Sequence, residues 1–188
     1  MARETLHPRL APIVAAVAIV VFLLSGCTTP DPTAVPSSAA PTAAPVFASD
    51  EEALAAAEDA FEKYQAVSDS ILKDSGSEPE RLLSVATDEL YKSELVGFKE
   101  MAAAGLHLVG RTTSDSATFQ SMATVGKITD VSVYLCIDVS ATDVQDAGGK
   151  SIVRSSRVDR YPVELAFQLM GGDMLLSEKA EWTGENFC

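Results

Sequence analysis

From about residue 50 to residue 104 the apolar positions recur every three or four residues, and from Leu106 to the C-terminus they alternate. Leu54, Ala57, Phe61, Tyr64, Val67 or Ser68, and Ile71 trace one face of an amphipathic helix about 24 residues long. Ser49 stands where its N-cap belongs, with Glu52 three positions on as in a capping box, and Asp50 and Glu51 suit the positive end of the helix dipole. Ser75-Gly76-Ser77 ends it. Glu78-Pro79-Glu80 opens a shorter second helix through Arg81 to Ala86, with proline in a permitted first-turn position. Thr87 caps a third, whose stripe is Tyr91, Leu95, Phe98 and Ala102 and whose close is Gly105.

Beyond that point five strands are predicted: 106–113, 116–125, 131–140, about 160–170, and 174–183. Gly171-Gly172-Asp173 reads as a tight hairpin turn. In the third strand Val131, Val133, Leu135, Ile137 and Val139 share a face, opposite Ser132, Tyr134, Cys136, Asp138 and Ser140. In the fourth, Tyr161, Val163, Leu165, Phe167 and Leu169 form the apolar face. Helices followed by antiparallel strands give an α+β domain over residues 50–188, its sheet greasy on one side and mixed on the other.

The first fifty residues follow neither period. Arg3 and Arg9 precede an uncharged, mostly apolar run from Ala11 to Leu24, too short for a spanning helix of roughly 20 residues and suited to a signal-peptide core. Leu24-Ser25-Gly26-Cys27 resembles the lipobox of bacterial lipoproteins, which implies cleavage after residue 26 and lipidation of Cys27. An uncleaved anchor helix is the competing reading. Residues 27–49, with Pro30, Pro32, Pro36, Pro41 and Pro45 among Ala, Ser and Thr, make an extended, disordered tether. The expected location is the extracytoplasmic face of the cell membrane, held there by acyl chains.

Charge and cysteines narrow the partners. Net charge is −13, from 14 Lys+Arg against 27 Asp+Glu, which argues against nucleic acid or anionic lipid headgroups as the main partner. Three cysteines leave, after Cys27, an even pair: Cys136 and Cys188 are expected to form a disulfide in an oxidising compartment, the alternative being two buried thiols. Two cysteines and His107, the one histidine beyond the signal segment, lack the clustered spacing of a zinc site, and no cofactor motif is present.

A long N-terminal helix, two more helices and a curved antiparallel sheet resemble the nuclear transport factor two-like superfamily, the cone shared with ketosteroid isomerases. More narrowly, the lipobox and its Pro/Ala/Thr linker, Ala60-Phe61-Glu62-Lys63-Tyr64, Tyr134-Leu135-Cys136-Ile137-Asp138-Val139-Ser140 and the ending Glu181-Trp182-Thr183-Gly184-Glu185-Asn186-Phe187-Cys188 resemble small lipoproteins of high-GC Gram-positive bacteria. The resemblance implies three helices on one curved sheet and a concave pocket between them, and implies no particular activity.

No nucleophile, zinc-protease, phosphate-loop or calcium-loop motif occurs. His107 and Asp138 carry parities that point away from the apolar face. Glu178 shares its parity with Met174, Leu176, Ala180 and Trp182, so it is either a pocket acid of raised pKa or a rim residue on a twisted edge. Arg154, Arg157 and Arg160 form a basic spot that either receives an anion or pairs with nearby acids. The expected pocket residues are Glu178, Trp182, Tyr64 and Phe61. Two functions stay open: a non-catalytic module binding a small apolar ligand or an envelope protein, or a pocket-acid enzyme, of isomerase or hydrolase type, acting on a small apolar substrate.

Overall fold

The computed structural model describes residues 46–188; the expectations for the signal segment, Cys27 and most of the tether fall outside the described residues. Helix α1 (Asp50–Lys73) begins as its sequence requires: Ser49 Oγ accepts from Glu52 N at 3.3 Å, and Glu52 Oε2 accepts from Ala48 N at 2.6 Å. Its buried face runs through Ala53, Ala57, Ala60, Phe61, Tyr64 and Ile71, the alanines letting the helix lie close on the sheet. A 3-10 turn (Pro79–Ser84) takes the place of the second predicted helix. Helix α2 (Asp88–Ala104) is capped by Thr87 and closed by Gly105 in the left-handed region.

Six strands follow: β1 (His107–Gly110), β2 (Thr113–Val125), β3 (Ile128–Asp138), β4 (Thr142–Gln145), β5 (Arg160–Met170) and β6 (Asp173–Glu181). All pairings between these strands are antiparallel. β2-β3-β5-β6 form a four-stranded sheet, and β1-β4 form a separate two-stranded one. The α+β class stands. The single curved sheet under three helices, and with it the cone of the nuclear transport factor two-like fold, does not: the strands fall into two sheets, and only two of the three helices are α-helices.

Local hydrogen bonds explain the split. Between β1 and β2 the Thr112 amide donates to Asp69 of α1 at 2.8 Å, so the chain leaves the ladder there. After β3 the Thr142 amide turns back to the Val139 carbonyl at 2.9 Å, and Arg157 holds the carbonyls of both Val139 and Thr142, at 3.0 and 3.1 Å. β4 therefore swings off the main sheet and pairs with β1. Gly110, at φ +92°, permits the close pass, since a Cβ there would sit 2.0 Å from the Ala141 carbonyl oxygen.

The core lies between α1 and the inner face of the large sheet, where Val131, Val133, Leu135, Val163, Leu165 and Phe167 are buried. The strand parities read from β3 and β5 hold. At the far edge, the backbones of Val85 and Thr87 bond to Leu176 of β6 at 3.0 and 2.9 Å and fasten the start of α2 to the sheet.

Candidate functional site

Where the two sheets part, α1 spans a cleft of about 700 Å³, within the roughly 300–1,000 Å³ usual for ligand pockets. One face of α1 supplies Phe61, Tyr64, Gln65, Ser68, Asp69 and Leu72, at the three- and four-residue steps of a helix. Ile137 and Val139 close the far wall, Leu108 and Val144 come from the small sheet, and Val158, Tyr161 and the C-terminal tail at Trp182, Gly184 and Asn186 form the mouth.

Of the four expected pocket residues, Phe61, Tyr64 and Trp182 line this cleft and Glu178 does not. The register of β6 gives the reason. Phe167 faces Leu176, but Ala166 faces Glu178, so Ser177 is an extra residue in β6 and inverts the alternation beyond it. Glu178 consequently sits on the outer face, and Lys179, opposite Leu165, falls on the inner side, where its amine reaches Tyr64 and Glu94 although the side chain stays 30% exposed. The parity set of Met174, Leu176 and Glu178 is broken at one residue.

Lys179 is the polar centre of the inner wall. Its ammonium lies 2.8 Å from Glu94 Oε1, donates to Tyr64 Oη at 3.1 Å, and stands 5.4 Å from the centre of the Tyr64 ring. Tyr64 is 2% exposed and stacks on Phe61. Burial pushes the Tyr64 phenol up to about 12, with the Lys179 charge pulling the other way. For Lys179 burial works against the charged form, but Tyr64 and the Glu94 carboxylate outweigh it and its pKa rises. At neutral pH the pair is thus an ammonium and a neutral phenol, neither poised to abstract a proton.

Two further polar groups of α1 belong to the wall. Asp69, 5% exposed, accepts from Thr112 N at 2.8 Å and Thr112 Oγ1 at 2.9 Å. Gln65 Oε1 accepts from Ser114 Oγ at 3.1 Å. Neither residue was singled out from the sequence, nor was Lys179. The signal for the first two was a pair of polar residues flanking the Tyr64–Ser68 row of an otherwise apolar helix face.

Of the other residues singled out above, Asp138, His107, Arg157 and Arg160 have structural employment. The Asp138 carboxylate lies on the outer side of β3 and accepts from Ser140 N at 2.8 Å, and its bonds to Ser140 hold it below the usual carboxylate range. His107 pairs with Gln145 at the edge of the small sheet, away from the cleft. Arg157 binds Asp159 at 2.8 Å besides its two carbonyls, and Arg160 binds Asp115 and the carbonyl of Cys188, so the basic spot is spent on internal contacts at both. Cys136 and Cys188 are joined in a disulfide, which pins the tail across the outer face of β3. The Trp182 indole packs edge-on against Tyr134 there, with ring centres 5.1 Å apart. Among the described residues no cluster of three or more metal-ligating side chains occurs, and no helix is long and apolar enough to cross a membrane.

No protein-family model and no curated protein matches the sequence. Among solved structures, the chain is similar to the intermembrane-space region of the chloroplast protein ARC6, at 16% identity and a TM-score of 0.50, over 70% of this chain and 97% of that one. That likeness is one of fold. A de novo designed β-sheet protein aligns at 15% identity over 73% of this chain and 97% of its own, with a TM-score of 0.29, too low to bear on the fold.

Proposed function

We propose that the protein is a lipid-anchored, extracytoplasmic, non-catalytic module that binds a small, mainly apolar ligand in the cleft between α1 and the two sheets. The observation that carries the reading is the cleft itself: ligand-sized, walled by Phe61, Leu72, Leu108, Ile137, Val139 and Val144, with its inner cation already paired to Glu94. Glu178, the acid on which an enzymatic reading rested, lies on the opposite face, and this favours binding over turnover. The anchor rests on the lipobox at Leu24–Cys27 and on the proline-rich tether that follows it.

Immobilised full-length protein exposed to an envelope extract should retain a small molecule that organic solvent then releases unchanged. Leu108→Trp, which fills the cleft, should retain none. Equal retention by both proteins would place binding elsewhere, and conversion of the retained molecule would establish an enzyme. Mass spectrometry of the membrane fraction should find an acylated Cys27 terminus; an intact Met1 terminus refutes the anchor.

A further inference from the structure

We infer that the outer face of the large sheet docks an extended, arginine-bearing segment of a partner protein. The inner face is covered by α1. Of the outward positions on β3 and β5 only Cys136 and Pro162 are buried, and the tail lies against both, through the disulfide and through Trp182 N on the Pro162 carbonyl. The rest of the face is left to solvent. At its tail end Trp182 and Phe187 are 37% and 52% exposed, and Trp182 meets Tyr134 and Phe187 edge to face, at 75° and 71°. The bond at Cys188 holds Phe187 in that place. Carboxylates follow along the strands: Glu164 faces Tyr134 across the ladder, Glu178 lies one row further on, and Asp130 one row beyond. Of these residues only Trp182 also borders the cleft.

Charge complementarity names the occupant. Glu164, Glu178 and Asp130 make no ion pair among the described residues. Their neighbours across the ladder include Ala180 and Ala166, too short to screen the first two. Arg160 is the one cation at the outward positions of the four strands, and it is committed to Asp115 and the Cys188 carbonyl. An acidic segment would be repelled here, and a neutral one would leave the carboxylates unmatched. A guanidinium suits both halves of the face, because it stacks on aromatic rings and forks onto a carboxylate. Rows of a sheet repeat every two residues, about 6.8 Å, as do the alternate side chains of an extended segment. A strand with basic residues at every second position therefore meets the aromatic row and the acidic rows together.

The probes are dye-labelled peptides of four Gly-Arg, Gly-Lys or Gly-Gln repeats, titrated with full-length protein and followed by fluorescence anisotropy. The arginine peptide should bind saturably, roughly two- to fivefold tighter than the lysine peptide, and the glutamine peptide should not bind. Glu164→Gln with Glu178→Gln should weaken the arginine peptide roughly three- to tenfold. Glu80→Gln with Glu100→Gln makes the same change of net charge at exposed positions of the 3-10 turn and α2, and should weaken it less than about twofold. Phe187→Ala should narrow the gap between arginine and lysine. Equal weakening by the two glutamate pairs would show a general attraction to an acidic protein and overturns the inference. A lysine or glutamine peptide that binds as tightly as the arginine one also overturns it, as does no saturable binding of the arginine peptide. Free arginine amide, competing as well as the peptide does, would make the face a small-cation site and overturns the docking of a segment. The glutamate comparison stands whether or not the Phe187 variant folds.

Discussion

Replacing Cys188 with Ser removes the one covalent tie between the tail and the sheet, and its cost can be worked from the loop it closes. The two cysteines are 52 residues apart in sequence, and a loop of that length is worth about 4 kcal/mol in the chain-entropy account of disulfides. The native state moderates this figure. Without the bond the tail retains the Arg160 contact to the Cys188 carbonyl, the Asn186 side chain on the Arg160 carbonyl at 3.3 Å, and the packing of Trp182 on Tyr134. Those holds can open locally while the core stays folded, returning some entropy to the native side. The expected loss is therefore about 2–4 kcal/mol. Urea unfolding of the full chain, followed by far-ultraviolet circular dichroism and by Trp182 emission, measures it. In the variant the emission should change at lower urea than the dichroism, because the tail leaves first. A loss below about 1 kcal/mol, with the two signals coincident, would refute the loop-closure reasoning.

Two more outcomes are expected. The Tyr64 phenol has a folded pKa of about 12 against an unfolded value near 10, so the unfolded chain gives up its proton first. Stability should hold below pH 10 and fall between pH 10 and 12 by about 2 kcal/mol; Tyr64→Phe should flatten most of that slope, and a flat profile in the unaltered protein refutes the assignment. Glu178→Gln, on the outer face, should shift stability by no more than about 0.5 kcal/mol. Lys179→Met strips Glu94 and Tyr64 of a shared partner and should lose about 1–2 kcal/mol. Equal effects of these two substitutions in urea unfolding would contradict the inward turn of Lys179.

Local rules carried far in this chain. The Ser49 and Thr87 caps, the Gly105 stop and the two faces of β3 and β5 are all set by neighbours within a few residues, and these were readable. What escaped reading depends on contacts distant in sequence. Nothing near Thr112 announces that its amide will bond to Asp69, 43 residues away, nor does the Arg157 neighbourhood disclose that its guanidinium holds Val139 and Thr142. Those two clamps divide the strands into two sheets and open the cleft between them. β4 is too short and too polar to stand out from alternation alone. The cleft was legible as aromatic positions on α1, while Lys179 required the register of β6.

The extra residue at Ser177 gives that register an unusual leverage. Everything from Glu178 to the end of β6 owes its side of the sheet to Ser177 being bulged out of the ladder, with the Ser177 hydroxyl fastened to the Ala166 carbonyl at 3.0 Å. Were the bulge pulled straight with Ser177 kept in the ladder, opposite Ala166, the two flanks of the strand's end would exchange. Glu178 would enter the inner wall and Lys179 would leave it, replacing a positive group by a negative one beside Tyr64 and Glu94. The polarity of the interior is thereby encoded in the register of one strand as much as in the identities of its residues.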